Sequence, residues 1–392
     1  MLDFPASPTL NQIYTGGGIQ WIWDGTKWVA NGVGSGYVPV SGGTMTGPLI
    51  LSAEPTDPLG AATKQQVDAR TPGENKIING DMRIDQRNNG ALVTVGGYCV
   101  DRWVWNASQT GKGGTQRVAS NNPGFPYQLQ IASTTAYTLV AADYFGISQM
   151  IEADMVSDFA WGTANAQPAT LSFWAYASIV GTYSGSIQNS AANRSFPFTY
   201  SITTANTWTR FIIPILGDPN GTWTLSGNGA GVYVFFSSGM GSTRVTSTLN
   251  AWQSGNFLSG PGAINLMGTS GAAMGFTGVK LEIGSVASRF NHQSPAKSLA
   301  DCQRYYQSVS AYWNGNATSG SGYYGLGWLP VTPRAAPTLT GVSLLGAPAF
   351  ANAIGVLSGG PSSNTFVCDN RVCSTTTTAG IFATVITATA EL

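Results

Sequence analysis

ATLSFWAYAS (169–178) decides how this chain folds. It mixes aromatic and small residues and carries no charge, and Pro168 stands just before it. WTRFIIPIL (208–216) and GVYVFFSS (231–238) read the same way, rich in β-branched and aromatic residues. Gly, Pro, Asn and Asp bound all three, so each reads as a strand. Through residues 72–300 the turn signals recur about every ten residues, and helix-period segments are scarce. That spacing predicts an all-β body built as a jelly-roll β-sandwich.

Composition agrees and excludes several functions. Hydrophobic residues make up 43% of the 392, enough for more than one core. Charged residues are only 9%, where about 25% is usual. Glycine numbers 50, so Ser, Thr, Asn, Gln and Gly must cover most of the surface. Such a surface suits neutral, hydrogen-bonding ligands. Lys plus Arg and Asp plus Glu are 18 each, which leaves no basic footprint for nucleic acid. No apolar run is long enough for a membrane span, so no membrane insertion is expected. MLDFPASPTL lacks the basic and apolar regions of a signal peptide, so the protein is expected to be made in a cytosol and released by lysis.

Outward from the body, SGGTMTGPLILSAEPTDPLGAATKQQVDAR (41–70) divides it from a short head. Gly42, Gly43 and Gly47 suit turns, and Pro48 blocks helix. Asp57 caps and Pro58 opens a short helix over about 59–70. A helix of about a dozen residues is marginal alone and calls for partners. This stretch resembles a repeat of bacteriophage tail-fibre proteins, GG-T-M-T-G-P-L, a strand, an Asp-Pro turn, then A-A-T-K before a helix. That family carries an aromatic just before Val-Asp, where this chain has Gln66. The resemblance implies a homotrimer, with residues 37–71 as fibre repeat and short trimerising stalk helix.

In the head, residues 1–36, IQWIWDGTKWVANG sets Trp21 and Trp23 against Trp28 across Asp24-Gly25. That is a hairpin signal. Three tryptophans on so short a hairpin lack a core of their own, so their face is expected to seek a partner surface. FPASPTLNQIYT…WIWDGTKW is similar to short modules that open phage structural proteins, which implies virion attachment through Trp21, Trp23 and Trp28.

ENKIINGDMRIDQRNNGALVTVGGYCVDRW (74–103) and FTGVKLEIGSVASRFNHQSPAKSLADCQRYY (276–306) resemble the opening and close of a sandwich domain in phage fibre and receptor-binding proteins. NTWTRFIIPILGDPNGTW and LNAWQSGNF resemble its internal strands. That domain is similar in fold to carbohydrate-binding modules, although fold alone gives no ligand. Physically, these edges read as structural. Asp101-Arg102-Trp103 is expected to set an ion pair beside a core indole. Arg83, Asp85 and Arg87 are expected to share one face of a strand. Glu282 and Arg289 are expected to satisfy backbone or each other. SPAKSLADCQRYYQS (294–308) reads as a helix capped by Ser294, with Leu299, Cys302 and Tyr306 on its apolar face.

Residues 301–392 read as a β-rich tip. Trp313, Tyr323, Tyr324 and Trp328 lie among Gly, Ser and Asn, as in loops, and offer stacking surfaces for sugars or for other copies of the chain. TTTTAGIFATVITATAEL is a long β-prone run that needs pairing. Cys99 and Cys302 read as buried or free thiols; Cys368 and Cys373 do too, with a hairpin bridge between them as the alternative.

Catalytic signatures are few. With His292 the one histidine, neither a Ser/His/Asp triad nor a His-rich metal site is expected. No cofactor is expected, and no P-loop or dinucleotide fingerprint is present. Asp143, Glu152, Asp154 and Asp158 are the one acidic cluster that suggests glycoside hydrolysis, against a reading as turn caps. Taken with the resemblance to phage fibre proteins, which implies a virion-borne tail-fibre or receptor-binding protein, the expectation is a non-enzymatic one. It is assembled in the host cytoplasm and recognises a bacterial surface polysaccharide. A purely structural fibre and a polysaccharide depolymerase are the alternatives.

Overall fold

A computed structural model describes residues 3–17, 19–30, 73–317, 322–343, 365–372 and 377–392. For most of the described positions between 310 and 386 it gives the backbone alone. The chain divides into two units, Met1–Thr63 and Lys64–Leu392. The stalk helix expected over 59–70 lies outside the described residues.

In the first unit, β1 (Ile13–Gly16), β2 (Ile19–Trp23) and β3 (Trp28–Ala30) form an antiparallel sheet in that order. The expected hairpin is thus part of a three-stranded sheet, with Trp23 opposite Trp28. Its turn is held by Asp24, whose Oδ1 accepts from the Thr26 and Lys27 amides at 2.8 and 2.9 Å. Gly25 takes φ 98° there, which a side chain would resist.

The second unit is a sandwich. One sheet has seven strands, built from β4 (Gly97–Tyr98), β5 (Val104–Ala107), β8 (Tyr144–Glu152), β10 (Gly181–Asn189), β11 (Arg194–Ile202), β13 (Ala230–Met240) and β14 (Gln253–Ser254). Their order is β14-β11-β10-β13-β8-β5-β4. The other sheet is β12-β9-β15-β7-β6, from β6 (Gly113–Ala119), β7 (Tyr127–Ser133), β9 (Ala169–Ala177), β12 (Thr209–Ile215) and β15 (Ala273–Ile283). Every named strand pairing within these two sheets is antiparallel. The three segments first read as strands are therefore β9, β12 and β13.

Alternation decides which side chains meet. On β9, Leu171, Phe173 and Ala175 point inward and are fully buried. On β13, Val234 and Phe236 do the same from the facing sheet. Phe173 meets Phe236 edge-on at 4.8 Å, and Phe276 lies 4.8 Å from Phe236. Burying each such ring contributes about 1.5–3 kcal/mol.

The edges differ from expectation in several places. Arg83, Asp85 and Arg87 lie in a turn-rich segment, not on a strand. Asp85 is committed to closing that turn, accepting from the Asn88 and Gly90 amides. Arg102 does not pair with Asp101; it reaches Glu391, while Asp101 accepts from Gln86. Trp103 is indeed buried, its indole donating to the Asn79 carbonyl at 3.1 Å. Glu282 accepts from the Ser288 amide and hydroxyl and pairs with Lys280 at 3.0 Å.

The late helix, α1 (Pro295–Gln303), begins as expected, with the Ser294 side chain accepting from the Lys297 amide. It ends sooner, because Tyr306 opens β16 (Tyr306–Ala317) and pairs with Thr389. Its buried residues are Ser298 and Cys302, so Leu299 and Tyr306 do not form its inner face. β16 and β18 (Thr338–Ser343) flank β20 (Thr377–Thr389), and β17 (Gly322–Trp328) pairs with β19 (Thr365–Val372). The final β-prone run is thus paired on both sides. Cys99 and Cys302 are buried free thiols. Cys373 and the Cys368 side chain lie outside the described residues.

Candidate functional site

The outer face of the seven-stranded sheet carries a groove with a cavity volume of about 260 Å³. It follows from strand period. Val234 and Phe236 of β13 point inward, so Tyr233 and Phe235 point outward and line the groove. Their rings stack with centroids 6.2 Å apart and planes at 20°. Gly146 on the neighbouring β8 makes room: a Cβ there would stand 2.5 Å from Phe235 Cζ.

Polar groups surround that aromatic floor. Gln188 of β10 is 2% exposed and donates from Nε2 to Asn256 Oδ1 at 3.0 Å. Asn106 of β5 donates to Ser148 Oγ at 2.8 Å. It also accepts from the Tyr233 hydroxyl at 3.5 Å. Burial pushes the Tyr233 phenol up, which keeps it a neutral donor. Arg244 closes one side, its guanidinium carbon 5.1 Å from the Tyr144 ring centroid. A stacked ring, amides and hydroxyls are what the C–H faces and hydroxyls of a sugar require.

Tyr233 and Phe235 sit inside a segment that the sequence marks as a strand. Only the inward or outward register separates them from core aromatics. Arg244 and Asn256 come from the connections around β14, and their place over the sheet has no local signal.

The tip residues lie elsewhere. Tyr323, Tyr324 and Trp328 are on β17 and Trp313 on β16, in strands rather than loops. Tyr323 pairs with Arg371, Trp328 with Thr365 and Trp313 with Phe382. Aromatic residues favour such extended backbone even among glycines. Their side chains lie outside the described residues.

In the first unit Trp21, Trp23 and Trp28 are half-buried. Phe4, which the sequence reading passed over, stacks on Trp28 at 5.3 Å and meets Trp21 edge-on at 5.3 Å. Tyr14 completes the cluster, 5.1 Å from Phe4. Among the described residues of this unit, the exposed large apolar ones are Leu10, Ile13 and Ile19.

Each member of the acidic cluster has structural work. Asp143 accepts from Ser108, Tyr137 and the Val140 amide at 2.8–2.9 Å. Glu152 is held by Arg304 and the Tyr305 hydroxyl at 3.1 and 2.8 Å. Asp154 accepts from the Gly227 amide, and Asp158 pairs with Lys76 at 2.9 Å. His292 packs on Phe125 and Phe290 at 5.0 and 4.9 Å. Among the described residues, no cluster of His, Cys, Asp or Glu could hold a metal, and no helix is long and apolar enough to cross a membrane.

No family model matches the chain, and no curated protein matches it. Solved structures do. The enzymatically active domain of tailspike protein 4 of bacteriophage CBA120 matches with TM-score 0.30 and 13% identity, over 54% of this chain and 21% of that one. A sugar-binding protein from Bacteroides thetaiotaomicron matches with TM-score 0.32 and 13% identity, over 54% of this chain and 100% of that one. A xylan-binding domain from Paenibacillus barcinonensis matches with TM-score 0.27 and 9% identity, over 56% and 99%. This chain therefore spans about a fifth of the tailspike domain's length. At such scores these likenesses carry nothing about what this chain binds.

Proposed function

We propose that the chain is a bacteriophage fibre protein that recognises a bacterial surface polysaccharide and does not cleave it. The groove over β13 carries this reading. It joins the Tyr233–Phe235 pair to the Gln188–Asn256 amides on a rigid sheet. Its volume, about 260 Å³, suits a single sugar ring of a longer chain. The resemblance of residues 41–70 to the fibre repeat supports a homotrimer. Residues 1–36 would then join the virion, 37–71 would form the stalk, 72–300 the recognition sandwich and 301–392 the tip. The structural commitments of Asp143, Glu152, Asp154 and Asp158 favour binding over hydrolysis.

The test is calorimetric titration of the full chain with capsule and lipopolysaccharide fractions, beside a reducing-end assay on the same mixtures. Binding that Tyr233→Ala weakens, with no new reducing ends, supports the reading. New reducing ends would make the protein a depolymerase. No binding to any fraction would leave a structural fibre.

A further inference from the structure

We infer that the groove takes an acidic sugar, and that Arg244 holds its carboxylate. This rests on the groove being the glycan site.

Arg83, Arg87, Arg102, Arg117, Arg194 and Arg304 pair with carboxylates, Arg210 and Arg334 donate to backbone carbonyls instead, and Arg289 is exposed. Arg244 makes no such pair among the described residues, although it is half-buried. No Asp or Glu lines the groove. A cation kept in a partly dry cleft without a counter-charge is costly unless a ligand supplies one.

Its position is fixed through its backbone. It ends a tight turn, Ser242–Arg244, and its carbonyl accepts from the Leu258 and Ser259 amides at 2.9 and 3.3 Å. The guanidinium packs on Tyr144. A planar guanidinium so packed still presents its N–H fork to a carboxylate. Its charge is also felt at Tyr233, whose phenol it acts to lower against the larger effect of burial. One ring can therefore stack at Tyr233 while its acidic substituent meets Arg244. Asn256, held in place by buried Gln188, meets hydroxyls beside it. In a chain whose net charge is zero, this cation is a local feature rather than part of a basic surface.

The experiment uses the full chain and three probe sets: galacturonate, glucuronate and mannuronate oligosaccharides; the same oligosaccharides with carboxyls reduced to alcohols; and a sulfated galactan. We expect at least one uronate to bind more tightly than its reduced form, and added salt to narrow the gap. Arg244→Gln should weaken the uronate roughly ten- to hundredfold, far more than it weakens the reduced form. Arg244→Lys should recover part of the loss. An unchanged melting point for Arg244→Gln shows that folding is not the cause. Equal uronate binding by Arg244→Gln, or preference for the reduced forms, overturns the inference. So does binding of the sulfated galactan alone, or of none of the probes. If Tyr233→Ala still weakens the reduced forms while Arg244→Gln does nothing, the glycan groove stands and only the acidic preference falls.

Discussion

Arg102 and Glu391 form an ion pair in which both side chains are nearly dry, 1% and 7% exposed. Arg87 joins the same carboxylate at 2.7 Å. Arg102 also donates to the Met150 carbonyl at 2.6 Å and packs its guanidinium 3.6 Å from the Tyr305 ring centroid. Arg334 donates to the Ala390 and Glu391 carbonyls at 2.6 and 2.7 Å. The residues that follow β20 are thereby clamped onto the opening of the sandwich. Glu391→Ala would leave the buried Arg102 and the half-buried Arg87 without a counter-charge. The expected cost is about 3–5 kcal/mol, read as a lower unfolding midpoint in denaturant. A change within experimental error would show that this end of the chain is not part of the cooperative unit.

Stability should also fail at high pH. Burial, with the Glu391 charge behind it, raises the Tyr98 phenol from 10.0 to about 12. Burial raises the Cys99 thiol from 9.0 to about 12. Both are neutral when protonated, and both hold that proton more tightly folded than unfolded. Their contribution is complete below the unfolded values and is lost as pH climbs toward about 12. Melting temperatures measured across that range should fall steadily. Tyr98→Phe should make the fall shallower, and an unaltered slope would contradict the assignment.

The core predicts a third result. Phe173 is fully buried, touching Phe236 and Tyr200 across the sandwich and Phe211 on the neighbouring strand of its own sheet. Phe173→Ala should cost about 3–5 kcal/mol. Gly146→Ala should destabilise too, because its Cβ would run into the Phe236 carbonyl and the Phe235 ring. It should also weaken glycan binding, whereas Phe173→Ala should spare it in molecules that remain folded. Titration of both variants below their melting points separates the two effects.

Much of this fold can be read from residues. β9, β12 and β13 announce themselves through composition and bounding turns. The Ser294-Pro295 start of α1 is equally local. Its end is not, because Tyr306 leaves the helix to pair with distant Thr389. The same holds for charge. Nothing near Arg102 in sequence names Glu391, whereas its neighbour Asp101 is the obvious and wrong partner. The groove is legible by halves. Strand period alone can place Tyr233 and Phe235 opposite Val234 and Phe236. No local pattern brings Arg244 and Asn256 over them, since backbone bonds from Leu258 and Ser259 do that. In the first unit the three tryptophans stand out, but Phe4 finds them only through folding.

Assembly gives a fourth prediction. The stretch resembling the fibre repeat implies three copies, so light scattering on the purified chain should report a trimer. Deleting residues 1–36 should leave that trimer intact and still able to bind glycan, but unable to join particles. A stable monomer at micromolar concentration would contradict the trimer. Particle incorporation by the truncated chain would contradict the attachment role.

The central claim is that the groove over β13 binds a surface glycan, and its most direct measurement is a paired titration. Wild-type chain and Tyr233→Ala, matched in melting temperature, are titrated with the same capsule or lipopolysaccharide fraction. The account predicts saturable binding by the wild type and about tenfold weaker binding by Tyr233→Ala. Equal affinity of the two proteins would contradict it.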